Sequence, residues 1–373
     1  MKMAYKKLGD VCEILDSKRI PITASERKSG QYPYYGANGV QDYVSDFIFD
    51  DELVLLAEDG GNFGSKDRPI AYRVSGKCWV NNHAHVLKPL PDIDVDYLCY
   101  ALMFYDTTGL INGATRQKLT QSAMRQMQIP IRSLDEQKAI VQKISTATGL
   151  ITLRKTQLQK LDQLASSRFS EMFGRMPRNE KHWTVVTIRD VVTEVRYGSS
   201  RPAVENGQYP YLRMNNITYS GELDLSEIKR IDVPDNELSK CTVRRGDVLF
   251  NRTNSKELVG KTCVYNRDEM MVLAGFVIRV RLDHEKMLPE FLSAFLNTDF
   301  SKQMLLNMCK TAIGQANINA QELQNISVFL PPLQLQKDFV AIKQQLDKSK
   351  VTIRKSIDRL ETTYRALLQE YFG

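Results

Sequence analysis

The chain has 373 residues, 42% hydrophobic and 25% charged, with a formal net charge of +7. At roughly 150 residues per domain this is enough for two or three domains with their own cores, which excludes a disordered chain. No run approaches the ~18 apolar residues of a membrane span, no secretory signal opens the sequence, and the six scattered cysteines include no C-x-x-C pair, so the expectation is a cytoplasmic protein with reduced thiols and no membrane association.

In chain order, the apolar run at 53–57 reads as a strand. Residues 58–64 read as a turn, because the G-x-G-x-x-G spacing of a dinucleotide loop is absent. His83 and His85 share one face of a strand and could ligate a metal, but no third ligand stands at the usual spacing; a hydrogen-bonding or packing role is expected, and no metal. A helix is expected at 97–105. Ser133 and Glu136 form a capping-box pattern, and from there Ile140, Ile144, Ala147, Ile151, Leu158, Leu161 and Phe169 mark a long helical stripe, loosened near Gly149 and ending at Gly174. Residues 175–181, with Pro177, form a linker. Apolar runs at 248–250 and 277–282 read as strands and 290–296 as a helix. After Pro331 and Pro332, Phe339, Leu346, Ile353, Leu360 and Leu367 recur every seven residues, a coiled-coil seam.

The two halves repeat each other. Gly30-Gln31-Tyr32-Pro33-Tyr34 returns 177 residues later as Gly207-Gln208-Tyr209-Pro210-Tyr211, whereas Leu134-x-x-Gln137 and Phe173-Gly174 return 199 residues later as Leu333-x-x-Gln336 and Phe372-Gly373. The growing offset places insertions in the middle of the second half, between Tyr211 and Val248. It stays constant through the tails because an insertion there would rotate every later side chain off its buried stripe. The expected fold is mixed α+β: globular domains at 1–132 and 175–332, each followed by a long helix, at 133–174 and 333–373, with the helices pairing. The pairing residues are Ile140, Ile144, Ile151 and Leu161 against Phe339, Leu346, Ile353, Leu360 and Leu367.

No catalytic signature is visible. Gly260-Lys261-Thr262 lacks the upstream glycine of a phosphate loop, and no Asn-Pro-Pro-aromatic or Asp-Pro-Pro-Tyr tetrapeptide of an amino-methylating enzyme occurs. Both halves instead offer loops of aromatic, amide and basic residues of the kind that read base edges and phosphates. The candidates are Lys18, Arg19, Tyr34, Tyr35, Asn38, Asn81, His83, Arg116, Gln117 and Lys118 in the first half. In the second half they are Ser199, Arg201, Arg213, Asn215, Asn251, Arg252, Thr253, Asn254, Gln315 and Asn317.

The segments Trp79-Val80-Asn81-Asn82-His83-Ala84-His85-Val86-Leu87 and Gly246-Asp247-Val248-Leu249-Phe250-Asn251-Arg252-Thr253, with the two Leu-x-x-Gln junctions, resemble the DNA-specificity subunits of type I restriction-modification systems. The resemblance covers nearly the whole chain. It implies two target-recognition domains that read the halves of a split, asymmetric double-stranded DNA target, joined by an antiparallel helix pair. It further implies a non-catalytic subunit that scaffolds two methyltransferase and two restriction subunits and binds no cofactor, with S-adenosylmethionine, ATP and Mg used elsewhere in the complex. A 40-residue helix is ~60 Å long, more than one ~34 Å turn of B-DNA, so the helices are expected to set the unread spacer. Two alternatives stay open: a recognition scaffold of a different modification system, and a coiled-coil adaptor that does not bind DNA.

Overall fold

A computed structural model describes residues 4–113, 117–312 and 315–373, without the side chains of 310–312 and 315. It divides into two compact units, one formed by 1–155 and 355–373 and the other by 156–354. Both 40-residue helices, Leu134–Phe173 and Leu333–Phe372, pass from one unit into the other.

The first unit is built on a six-stranded sheet in the order Cys12–Ile14, Ala84–Pro89, Phe49–Ala57, Ala71–Val80, Ser29–Gly36, Gly39–Val44. Pairings are antiparallel except that of Ser29–Gly36 with Ala71–Val80. The run at 53–57 is apolar at every position because both faces of this central strand are covered. Val54 and Leu56 enter one core cluster, Leu53 and Leu55 the other, as the two-residue period of a strand requires.

The second unit repeats this plan with a break. Val192–Tyr197, Val277–Leu282, Val248–Asn251 and Thr262–Val264 form one four-stranded sheet; Lys229–Ile231, Tyr209–Leu212, Met271–Leu273 and Thr242–Val243 form another. The first unit's ten-residue strand Ala71–Val80 is continuous. Its counterpart is split into Thr262–Val264 and Met271–Leu273, so one sheet becomes two. The parallel pairing survives, Tyr34 opposite Trp79 in the first unit and Tyr211 opposite Val272 in the second.

Each unit closes with a two-strand ribbon, Ala4–Lys7 on Gln128–Ile131 and Thr184–Thr187 on Ser327–Leu330, that leads directly into a long helix. The Leu-x-x-Gln junction explains itself here. Gln137 is fully buried; its Oε1 accepts from the Asp94 amide at 2.8 Å, and its Nε2 donates to the carbonyls of Asp92 and Arg132 at 3.0 Å each. Gln336 does the same with the Leu288 amide at 2.9 Å and the carbonyls of Lys286 at 3.1 Å and Pro331 at 2.9 Å. A buried amide side chain thus satisfies three backbone groups that no strand or helix serves, once in each half.

The capping box forms: the Ser133 amide and hydroxyl both donate to Glu136 Oε2, at 2.9 and 2.7 Å. The helix runs through Gly149 without interruption and stops at Gly174, whose φ of +78° and amide bond to the Ser170 carbonyl make a left-handed C-terminal cap. Within the first unit Ile140 and Ile144 pack with Tyr97 against Tyr364, Leu367 and Phe372. Within the second, Phe169 and Phe173 meet Phe339 and Phe291 with ring centroids 4.8–5.6 Å apart. The start of each long helix therefore packs beside the end of the other, and the pair is antiparallel.

Ile140, Ile144, Ile151 and Phe339 are buried, while Leu161, Leu346, Ile353, Leu360 and Leu367 are only half-buried. Two helices shield one stripe of each other, not a full circumference. The seam also contains a charge the heptad pattern hid. Lys350 is 6% exposed, pairs with Asp162 of the first long helix, and reaches Glu222 Oε1 at 3.1 Å. Glu222 belongs to the segment inserted in the second half, and Arg354 holds its other oxygen. Burial works to raise the Glu222 carboxyl, but Lys350 and Arg354 outweigh it and hold it below the usual carboxylate range.

Candidate nucleic-acid interface

In the first unit, five chain segments meet at one end of the six-stranded sheet. They are the turn after Cys12–Ile14, the hairpin between Ser29–Gly36 and Gly39–Val44, the loop after Phe49–Ala57, the turn at 81–83, and the strand Lys118–Leu119. Short bonds join them: Asn38 Nδ2 donates to the Gly60 carbonyl at 3.0 Å, and the Gly60 amide to Gln117 O at 3.3 Å. The Glu58 amide donates to His83 O at 2.9 Å, and the Leu119 amide to Glu58 O at 2.7 Å. Lys18, Asn38, Gln117 and Lys118 are exposed at this tip, and His83 is half-exposed, its Nδ1 2.6 Å from Asp59 Oδ1.

Other expected contacts turn out to hold the tip from beneath. Arg19 is nearly buried, with Nη1 on Glu58 Oε2 at 2.6 Å and on the Ala84 carbonyl at 2.8 Å. Tyr34 is 1% exposed, its hydroxyl donating to Ile22 O at 3.3 Å under the Arg27 guanidinium. Tyr35 packs beside Tyr72. Asn81 is buried; its Oδ1 accepts from the His83 amide at 2.8 Å and its Nδ2 donates to Gln41 Oε1 at 3.0 Å. Arg116 lies outside the described residues.

Under the tip, Asp16, Glu58 and His85 bring three possible ligand atoms within 4.8 Å of one another. The donor set does not suit a cation. Both His85 nitrogens are taken up within the protein, Nδ1 at 2.6 Å from the Asp16 carboxylate and Nε2 at 2.9 Å from the Leu119 carbonyl, so neither is turned toward an ion. Lys118 Nζ sits 3.0 Å from Glu58 Oε1, and Arg19 takes the other oxygen. Burial works to raise the Glu58 carboxyl, but Arg19, Lys118 and His85 outweigh it, and the balance holds it low. The same holds for Asp16, where burial is outweighed by His85, the Val86 amide and Gln121. The cluster is an ion-pair network that fixes the backbone of the tip.

The second unit builds the same end from different residues. The Arg252 amide donates to Phe276 O at 3.0 Å and the Ile318 amide to Arg252 O at 2.9 Å, which reproduces the bonds of Glu58 to His83 and Leu119. Arg252 therefore occupies the place of Glu58, and Phe276 that of His83. The Arg252 guanidinium lies 4.7 Å over the ring of Tyr197, with Nη2 donating to Asn317 Oδ1 at 3.2 Å. Thr253 pairs across to Asn317 in the ladder that Asp59 and Lys118 form in the first unit.

Next to Arg252, Asn251 is fully buried, and among the described residues neither its side-chain Nδ2 nor its Oδ1 has a hydrogen-bond partner. The same is true of Thr253 Oγ1 and Arg252 Nε. Ser199 is buried, its carbonyl accepting from the Gly275 amide at 2.7 Å. Asn254 is half-buried, and Gln315 lies on the strand beside Asn317. Arg201 is held in a two-bond pair with Glu237, and Arg213 donates to Glu227 O at 3.3 Å on the inserted segment, where Asn215 is exposed. Lys261, from the apparent phosphate loop, is buried with Nζ on Met214 O at 2.9 Å.

Sequence reasoning missed Tyr197 and Phe276, 43% and 53% exposed at this tip. The available signal was Ala274-Gly275-Phe276, a glycine and a large apolar residue between two strand-like runs, at the place of Asn82-His83 in the first half.

The family model for the type I restriction modification DNA specificity domain matches residues 2–163 and 180–362. The chain is 26% identical over 362 residues to a putative type I restriction enzyme specificity subunit of Haemophilus influenzae, covering 93% of this chain and 88% of that one. To the type I restriction enzyme EcoKI specificity subunit of Escherichia coli it is 23% identical, covering 79% of this chain and 68% of that one. In fold it is similar to the type I restriction-modification S subunit of M. genitalium, with a TM-score of 0.58 at 14% identity, over 100% of this chain and 97% of that one. A chain from a type I system studied for complex assembly gives a TM-score of 0.57 at 17% identity, covering 100% and 99%.

Proposed function

The chain belongs to the type I restriction-modification DNA specificity family, and from that premise we propose that each unit reads one half of a split, asymmetric DNA target through the loop cluster at the end of its sheet. It is a non-catalytic, DNA-recognising subunit that acts with modification and restriction subunits. Membership sets aside the protein-adaptor alternative. The finer reading is two methyltransferase and two restriction subunits per complex, in the cytoplasm, with S-adenosylmethionine, ATP and Mg held by those partners. Among the described residues no helix is long and apolar enough to cross a membrane.

The observation that carries this reading is the duplicated tip. The same backbone pairings hold Glu58, His83 and Lys118 in one unit and Arg252, Phe276 and Asn317 in the other. An unchanged skeleton with exchanged side chains is what two recognition modules for two different half-sites require, because base edges are told apart by donor, acceptor and methyl patterns. Lys18, Asn38, His83, Gln117 and Lys118 on one tip, and Arg252, Asn254, Gln315 and Asn317 on the other, are the contacts proposed. Arg19, Tyr34 and Asn81 act by positioning. The domain division proposed at 1–132, 133–174, 175–332 and 333–373 assigns reading to the globular parts and spacing to the helices.

The test is mapping modified adenines in cells that carry the chain with its partner subunits. Two short defined blocks separated by a fixed unread spacer are expected; a single contiguous motif would contradict the proposal. Removing one heptad from both long helices in register should shorten the spacer and leave the blocks unchanged.

A further inference from the structure

Phe276 sits at the apex of a turn that the structure fixes from three sides. The Val277 amide donates to Ala274 O at 2.9 Å, the Gly275 amide to Ser199 O at 2.7 Å, and the Arg252 amide to Phe276 O at 3.0 Å. Gly275 makes this approach close, since a Cβ there would lie 3.2 Å from the Ser199 carbonyl oxygen, a tight contact. The flanking residues Ala274 and Val277 are buried, whereas the Phe276 ring is 53% exposed. The turn therefore holds a large apolar side chain in water and out of the core of its own unit, where a ligand can reach it.

The neighbours of the ring identify the ligand. Arg252 has its guanidinium over the Tyr197 ring and Nη2 on Asn317, which fixes a planar cation in the tip, a group of the kind that pairs with the acceptors of guanine in the major groove. In that groove the one apolar group that base edges carry is the C5-methyl of thymine. We propose that Phe276 reads thymine in the second half-site, by packing its ring on the C5-methyl group beside the base pair that Arg252 contacts. This rests on the reading that the tip faces DNA. The first unit has no such reader at the matching position, where His83 is paired with Asp59.

The experiment measures binding of the full chain to duplexes in which each thymine of the second half-site is replaced, one at a time, by uracil. One replacement should weaken the wild type about fourfold, the factor expected for one methyl group withdrawn from apolar contact. Phe276→Ala should lose a similar factor on the thymine duplex and be indifferent to that replacement. Phe276→Leu, which keeps an apolar side chain on the turn, should retain part of the discrimination. The proposal is overturned by a second half-site without thymine, by wild-type binding that ignores every replacement, or by Phe276→Ala losing affinity equally on all duplexes, as a wedge between base steps would. If Arg252→Ala weakens the second half-site while these outcomes are found, only the thymine assignment falls. If neither variant alters binding, the tip itself does not face DNA.

Discussion

Glu58 and Arg252 occupy the same place in the two halves and carry opposite charges. Each donates its amide to the turn between two strands, to His83 O or Phe276 O, and each carbonyl accepts from an amide, that of Leu119 or Ile318. Around Glu58 the side chains close into an ion-pair network with Arg19, Lys118, His85 and Asp16. Around Arg252 stand two exposed aromatic rings, Tyr197 and Phe276, and an unpaired buried side-chain amide at Asn251. The backbone bonds carry the fold, so the side chains are free to diverge. That is how one duplicated architecture can serve two unlike half-sites.

The features that the two halves share and those in which they diverge should respond differently to mutation. The largest effect is expected at the shared junctions. Gln137→Leu and Gln336→Leu each strand one half-buried backbone amide and two carbonyls, and each should cost about 3 kcal/mol of stability in denaturant unfolding. A cost in one half only would show that the junctions are not equivalent. Next, Arg252→Ala should lose about 1–3 kcal/mol of discrimination at the second half-site and leave the first unchanged, and Arg252→Lys should not restore it, because an ammonium cannot make the planar paired contact.

Acid should separate the two tips. The Asp16 and Glu58 carboxyls are depressed in the folded chain, so their stabilisation is full above the unfolded carboxylate range near pH ~4 and is lost as pH falls through their folded values. Hydrogen exchange at the Val86 amide, which donates to Asp16, should therefore accelerate below about pH 4 relative to the Arg252 amide; equal acceleration would contradict the contrast. The smallest effect is expected at Asn251→Ala, which copies Ala57 of the first half. With no partner lost, stability in denaturant unfolding should hold or rise by about 1 kcal/mol; a marked loss would show that the buried amide is paired.

Much of this was legible in the sequence, and the limits are physical. The constant 199-residue offset, the capping box at Ser133 and the Leu-x-x-Gln junctions depend on local spacing, and local spacing is what sequence displays. The burial of Arg19 depends on partners dozens of residues away. An arginine held by Glu58 and Ala84 reads, in sequence, like an arginine free to meet DNA. Phe276 failed in the other direction, because a phenylalanine beside a strand reads as core until the turn at Gly275 is seen to expose it. Lys350 stayed hidden because a heptad pattern marks apolar positions and is silent about a charge neutralised by Asp162 and Glu222.

The most direct test is selection of preferred duplexes by the full chain from a library randomised in both half-sites, repeated with Lys118→Ala and with Arg252→Ala. Each variant should relax preference in one block, a different block for each, and leave the other block at wild-type stringency. Relaxation of both blocks by either variant, or of neither by both, would contradict the claim that each unit reads its own half-site through the tip of its sheet.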